Sequence, residues 1–331
     1  MSGWLRWVVV ISIGTVSIWA VSRMVVWKDL IEALEGMQVR YVALALVLLL
    51  LSLMSRMERW RLLLQDSSEI KRRHLLAALV IGYLGITVLP FRLGELARGY
   101  AANRLTGVSI SDALTAIFVE HVLDLSILFL LLLWQWPLLQ GNEWIQPVYL
   151  IGSVVLVGSI CGIVVVIVFS GRLIKYLRIV EERSPRLVGR WGLAQHIVTV
   201  IAALARLRNA GLLVRLVLWS IVTWAFACGF NAAFLVALGI NPVLEGSILT
   251  ILGTNLVSVM PSTPGYIGVY DLASVAALGI LGVSSTDAVA FAVTSHFVLL
   301  SAFIVLGIAA LWLTGLGLGG ITLRAKDPKE G

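Results

Sequence analysis

The feature that constrains this chain most is a string of ionisable residues set inside apolar sequence long enough to cross a bilayer. Pro90-Phe91-Arg92-Leu93-Gly94-Glu95-Leu96-Ala97-Arg98 follows directly on the apolar run Leu75–Leu89. Backbone surrounded by lipid has to satisfy its own hydrogen bonds, so apolar stretches of about 20 residues are read as helices. Proline interrupts such a helix because it lacks an N–H and crowds the preceding turn. Beyond the break a helix sets Arg92, Glu95 and Arg98 along one polar stripe, with Glu95 able to pair with either arginine. Ionisable groups at membrane depth usually mark an ion, headgroup or substrate path. The alternative is that both arginines snorkel to lipid phosphates and fix only the depth of the helix.

With 60% hydrophobic and 13% charged residues among 331, the chain reads as one all-α polytopic membrane domain covering 1–331. Its net charge of +7 sits in short segments flanking apolar runs, which fits bilayer orientation and anionic lipid better than nucleic acid. Trp4–Val21 is read as a first span rather than a cleaved signal, and Tyr41–Met54 opens a second that ends in a basic loop over 56–74. Segment 75–105 reads as a broken or re-entrant pair, followed by spans over Asp112–Trp136 and Val148–Phe169. The basic loop 170–211 is placed in the cytoplasm, with a surface helix around Leu193, Ile197, Val200, Ile201 and Leu204. Leu212–Leu238 spans again, Ser247–Gly282 is a second interrupted pair, and Asp287–Leu313 is the last span. Both termini are expected on the cytoplasmic side of the cell membrane.

The two interrupted pairs belong to an internal repeat, about 75–136 and 247–315. Gly107-Val108-Ser109-Ile110-Ser111-Asp112-Ala113 returns as Gly282-Val283-Ser284-Ser285-Thr286-Asp287-Ala288, and the same offset carries His121 onto His296. Pro90 and Gly94 match Pro264 and Gly268 once a single extra residue is allowed. Each Asp suits a helix N-cap, with Gly before it ending the previous arm. Three full spans separate the pairs, so the second copy is inverted, the arrangement of many alternating-access transporters. A duplicated scaffold without transport is the competing reading.

Glu120 and Asp124 lie on one face of the next span, with His121 beside them. Facing Arg92 and Arg98, they would complete a charge network with acceptors to spare, serving either substrate or structural ion pairing. The loop from Pro261 to Asp271 bends through Gly265 and Gly268 and could present backbone amides to an anion, or simply allow close helix packing. Glu120, His121, Asp124, Asp271 and His296 are candidates for a proton relay, although a lone histidine such as His296 is more often a packing residue. Cys161 and Cys228 sit in apolar runs and suggest no disulfide, no metal spacing is present, and no nucleotide-binding glycine motif or cofactor is indicated.

These residues resemble the integral-membrane domain of lysylphosphatidylglycerol synthases/flippases. The likeness rests on Pro90-x-Arg92-x-Gly94-Glu95-x-x-Arg98, on Glu120 with Asp124 four on, and on Pro264-Gly265-x-x-Gly268-Val269, and extends over roughly 40–315. Four positions depart from the family pattern: His121, Tyr266, Asp271 and His296 stand where Arg, Gly, Glu and Arg are usual. The resemblance implies translocation of lipids or handling of lipid-linked sugars and aminoacyl lipids. The soluble synthase domain has no counterpart before Gly331, so a translocase is expected rather than an enzyme, with Arg92, Glu95, Arg98, Glu120, Asp124, Gly265 and Gly268 meeting the headgroup. An embedded transferase acting on a polyprenyl-phosphate sugar, with Glu120 or Asp124 as base, stays open. So does a scaffold for a separate lipid-modifying synthase, as does an oligomer.

Overall fold

A computed structural model describes residues 19, 27–64, 70–89, 93–140, 145–183, 193–258 and 263–316. Most of the expected first span, the stretch Pro90–Arg92, Pro261 and Ser262, and the basic tail after 316 lie outside the described residues. Among the described residues the chain is helical and without strands: α1 Trp27–Glu35, α2 Val39–Leu63, α3 Arg72–Val88, α4 Leu93–Thr106, α5 Ile110–Leu139, α6 Ile145–Arg183, α7 Leu193–Ala205, α8 Ala210–Ala237, α9 Val243–Ser258, α10 Val269–Gly279 and α11 Ser285–Thr314. α2, α5, α8 and α11 are long and apolar enough to cross a membrane. The chain is an all-α polytopic membrane protein.

The repeat reappears as local structure. Gly107 and Gly282 both adopt positive φ (+76° and +74°), which only glycine takes without strain, and each ends a short arm. Ser109 and Ser284, and not the expected Asp112 and Asp287, then cap the next helix: each hydroxyl accepts from the N–H of the Asp three residues on, at 3.0 and 3.1 Å, which places the Asp in the first turn. α5 and α11 begin and end at the same repeat offset, each 30 residues long.

Before each of these long helices stands a pair of short ones: α3 and α4 with 17 and 14 residues, α9 and α10 with 16 and 11. All four fall short of the roughly 20 residues that cross a bilayer unaided. Within the first pair the backbones approach closely. A Cβ on Gly85 would stand 2.7 Å from Gly94 Cα, and one on Gly82 would stand 2.6 Å from Arg98 Cβ. Only glycine permits such a crossing. Gly253 plays a milder version of this role in the second pair, where a Cβ would meet the Ala273 carbonyl at 3.1 Å.

The halves are interleaved. α11 packs on α3, α8 runs along α2 and also meets α9, and the Pro264–Tyr266 turn abuts α3. One apolar core gathers around Trp60, Leu75, Leu79, Ile117 and Leu216, and a second around Phe234, Leu278 and Phe291.

Two boundaries differ from expectation. α2 continues to Leu63, past Met54, so Arg56 and Arg59 belong to the helix and not to a cytoplasmic loop. α6 continues past Phe169 to Arg183, so the first part of the expected loop is helical. α7 packs against α5 and α6 with Ile201 and Leu204 buried. In each case tertiary packing extends or covers a segment that charge alone marks as flanking.

Candidate functional site

The residues at the helix breaks converge on a cavity of about 490 Å³ whose lining comes from both repeats, from α2 and from α8. One wall is charged and carries Arg56 and Arg59 from α2, Glu95 and Arg98 from α4, and Glu120, His121 and Asp124 from α5. The rest of the polar lining is mostly uncharged: Asn231 from α8, Thr254 and Asn255 from α9, Tyr266 beside the turn, Tyr270 from α10 and His296 from α11.

Arg59 organises the charged wall. Ser52, Ser55, Arg56 and Arg59 recur at helical spacing, so α2 turns one polar face inward while the rest of it is apolar. The Arg59 guanidinium, 1% exposed, donates to both carboxylate oxygens of Asp124 at 2.6 and 3.0 Å and to Ser220 at 3.1 Å. Its Nε lies 3.5 Å from Glu120 Oε1. This is the planar fork for which arginine, not lysine, is suited. Asp124 also accepts from the Trp224 indole at 2.9 Å and has Arg56 at 3.6 Å.

Arg98 approaches the other side of Glu120, Nη2 to Oε2 at 2.8 Å, and lies over the Trp60 ring 3.8 Å from its centroid. The approach is off the hydrogen-bond axis, so Glu120 is held between two arginines by charge while neither of its oxygens accepts a directed hydrogen bond among the described residues. Asn231 Oδ1, in the uncharged part of the lining, is likewise buried with no donor among them.

Two histidines complete the site. His121 Nε2 meets Glu95 Oε1 at 3.0 Å and its Nδ1 meets the Ile117 carbonyl at 2.9 Å. His296 Nδ1 meets Asp271 Oδ1 at 3.0 Å and its Nε2 meets the Gly265 carbonyl at 2.9 Å, with the ring stacked on Tyr270 at 4.1 Å.

The sequence-predicted residues therefore fall as follows. Glu95, Arg98, Glu120, His121 and Asp124 share one wall, and Gly265 and His296 line the same cavity. Asp271 stands behind His296, and Gly268 is set back from the lining with its N–H taken by Asp271 Oδ2 at 2.9 Å. The Tyr266 N–H is bonded to the Thr263 carbonyl at 2.9 Å, so neither amide is free for an anion. Arg92 lies outside the described residues. Glu95 pairs with His121, and Arg98 with Glu120 rather than with Glu95. Among the described lining residues there are three arginines and three carboxylates.

Sequence reasoning missed Arg56, Arg59, Trp224 and Asn231. The signal for the first two was present: Arg-x-x-Arg at 56 and 59 is the complement of Glu120 and Asp124 on a neighbouring helix face. No group of three or more potential metal-ligating side chains occurs among the described residues. The family model described as the lysylphosphatidylglycerol synthase TM region matches residues 7–309. Neither a curated protein nor a solved structure matches the chain.

Proposed function

This chain belongs to the lysylphosphatidylglycerol synthase transmembrane-region family, and from that premise we propose that it is a lipid translocase of the cell membrane. A polar headgroup enters the cavity between two re-entrant helix pairs while its acyl tails stay in the bilayer. The basic loops and both termini then face the cytoplasm.

The observation that carries the reading is the state of the buried acceptors. Glu120 and Asn231, 2% and 6% exposed, line the cavity and lack hydrogen-bond donors among the described residues. A buried amide oxygen left without a donor costs about 1–3 kcal/mol, so Asn231 favours a guest that brings an N–H or O–H group, while Glu120 is already ion-paired to Arg59 and Arg98. Arg56 and Arg98 at the same wall offer charge to a phosphate. Lipids that combine the two, a phosphate with an ammonium or hydroxyls, fit a lining that carries both arginines and carboxylates: aminoacyl, glycerol or sugar-linked phospholipids. An embedded transferase is less well supported, because Glu120 held between Arg59 and Arg98 is poorly placed to take a proton as a general base.

The test is reconstitution in liposomes with fluorescent phosphatidylglycerol, its lysyl ester and a polyprenyl-phosphate sugar, followed by quenching of the outer leaflet. Wild type is expected to move one of them, with Arg98→Ala and Asn231→Leu slower by at least about tenfold, the equivalent of 1.4 kcal/mol in a barrier. Equal rates for wild type, both variants and empty liposomes would overturn the proposal.

A further inference from the structure

The two histidine–carboxylate pairs are equivalent by the repeat, and hydrogen-bond accounting says what each one holds. At the offset that superposes the Ser109 and Ser284 caps, His121 falls on His296. Each bonds a carboxylate on the short helix preceding its own, Glu95 on α4 and Asp271 on α10, at 3.0 Å in both cases. In each ring the other nitrogen is bonded to a backbone carbonyl, Ile117 or Gly265, at 2.9 Å. A carbonyl can only accept, so that nitrogen carries a hydrogen. A neutral imidazole then has none left for the carboxylate, and two lone pairs would face each other at 3.0 Å. One more proton must lie between ring and carboxylate. Placed on the imidazole, it makes the ring the donor and the carboxylate the acceptor of a charge-assisted hydrogen bond.

We propose that these pairs are proton-binding sites, one per repeat, opened in turn to the two sides of the membrane, so that headgroup passage is coupled to proton movement. The inference rests on the translocase reading. Each pair is neutral when loaded and carries one negative charge when the proton leaves, and a change of that kind at membrane depth biases a helix pair between closed and hydrated positions. The present state is asymmetric, as a two-state carrier built on an inverted repeat requires. The side chains of His121 and Glu95 are 40% and 28% exposed, whereas those of His296 and Asp271 are 6% and 13% exposed.

The surroundings differ in the same sense. The ionisable groups lining the cavity on His121's side are Glu95 and Arg98 from α4, Arg56 and Arg59 from α2, and Glu120 and Asp124 from its own helix; α8 and α9 bring none. Around His296, α10 brings Asp271 and Tyr270, α3 brings Tyr83, Tyr266 lies at the turn, and the lining residues of α8 bring none. A proton released from the first pair enters a charged, open wall, and one on the second is enclosed by aromatic rings.

The test uses the full chain with 15N-labelled histidine in nanodiscs, together with proteoliposomes carrying the fluorescent lipids under an imposed pH difference of about two units, roughly a hundredfold in proton activity. At pH 7 the rings of His121 and His296, assigned by His121→Gln and His296→Gln, should each show two protonated nitrogens. Glu95→Gln, at a half-exposed site, should return the His121 ring to one bare nitrogen, and this variant decides the matter should His296→Gln fail to fold. The pH difference should shift lipid between leaflets by at least threefold in wild type and not in His121→Gln. Bare ring nitrogens in wild type at pH 7, or lipid movement blind to the gradient, would overturn the coupling and leave the translocase standing. No movement of any lipid on the panel would overturn the translocase and the coupling with it.

Discussion

Removing the Arg59 side chain should be among the most damaging single changes in this protein. Arg59→Met keeps most of the aliphatic length but takes away the hydrogen bonds at 2.6 and 3.0 Å to Asp124, the bond to Ser220 and the charge 3.5 Å from Glu120. Asp124 would keep the Trp224 indole and a more distant Arg56, and Glu120 would keep Arg98, so two buried carboxylates would share what is left. Breaking a buried pair by deleting one partner costs about 3–5 kcal/mol, because the remaining charge stays buried. An exposed pair gives the scale for comparison. Lys28 and Glu32 lie 3.8 Å apart with side chains 83% and 63% exposed, and Lys28→Ala should cost less than about 1 kcal/mol. The double variant Arg59→Met/Asp124→Leu removes both charges, and its loss should be smaller than the sum of the two single losses by at least about 1 kcal/mol. Unfolding in mixed detergent micelles can be followed by tryptophan fluorescence, since Trp60 and Trp224 both touch the cluster. A loss for Arg59→Met no larger than that for Lys28→Ala, or strict additivity in the double variant, would refute the idea that Arg59 holds the carboxylates in place.

Other expectations follow from the same geometry. Gly94→Ala forces α3 and α4 apart at their tightest crossing and should cost about 1–3 kcal/mol by overpacking, read as a lower unfolding midpoint, while Gly158→Ala, with nothing near its Cβ, should be close to neutral. Ser109→Ala and Ser284→Ala each delete the same cap and should each cost about 1 kcal/mol in that assay; a large inequality would argue against the structural equivalence of the repeats. Trp224→Phe removes one donor to Asp124 while keeping the ring under Arg56, and should lower stability by about 1–3 kcal/mol.

What could be read from sequence was whatever local chemistry enforces. The Gly-Val-Ser-x-x-Asp string predicts a stop and a capped start, and Gly107 with Ser109 and Gly282 with Ser284 adopt that arrangement because every interaction involved lies within a few residues. Arg59 was hidden for the opposite reason. An arginine at the end of an apolar run looks the same whether it points to water or into the bundle, and the difference lies in how α2 is rotated against α5 and α8. Arg98 likewise turns to Trp60 and Glu120, which its place on the stripe with Glu95 does not reveal, and Glu95 meets His121, 26 residues further on. Asn231 carried no visible signal, since a single amide in an apolar span is common as a packing residue.

Alternate opening of the cavity to the two faces of the membrane is tested most directly at residue 231. With Cys161 and Cys228 replaced by alanine, Asn231→Cys in sealed proteoliposomes of fixed orientation can be challenged with a membrane-impermeant maleimide from either side. The account predicts labelling from both faces, with the ratio between them changing when substrate lipid is supplied. Protection from both faces under all conditions, as for a residue sealed in a solid helix bundle, would contradict it.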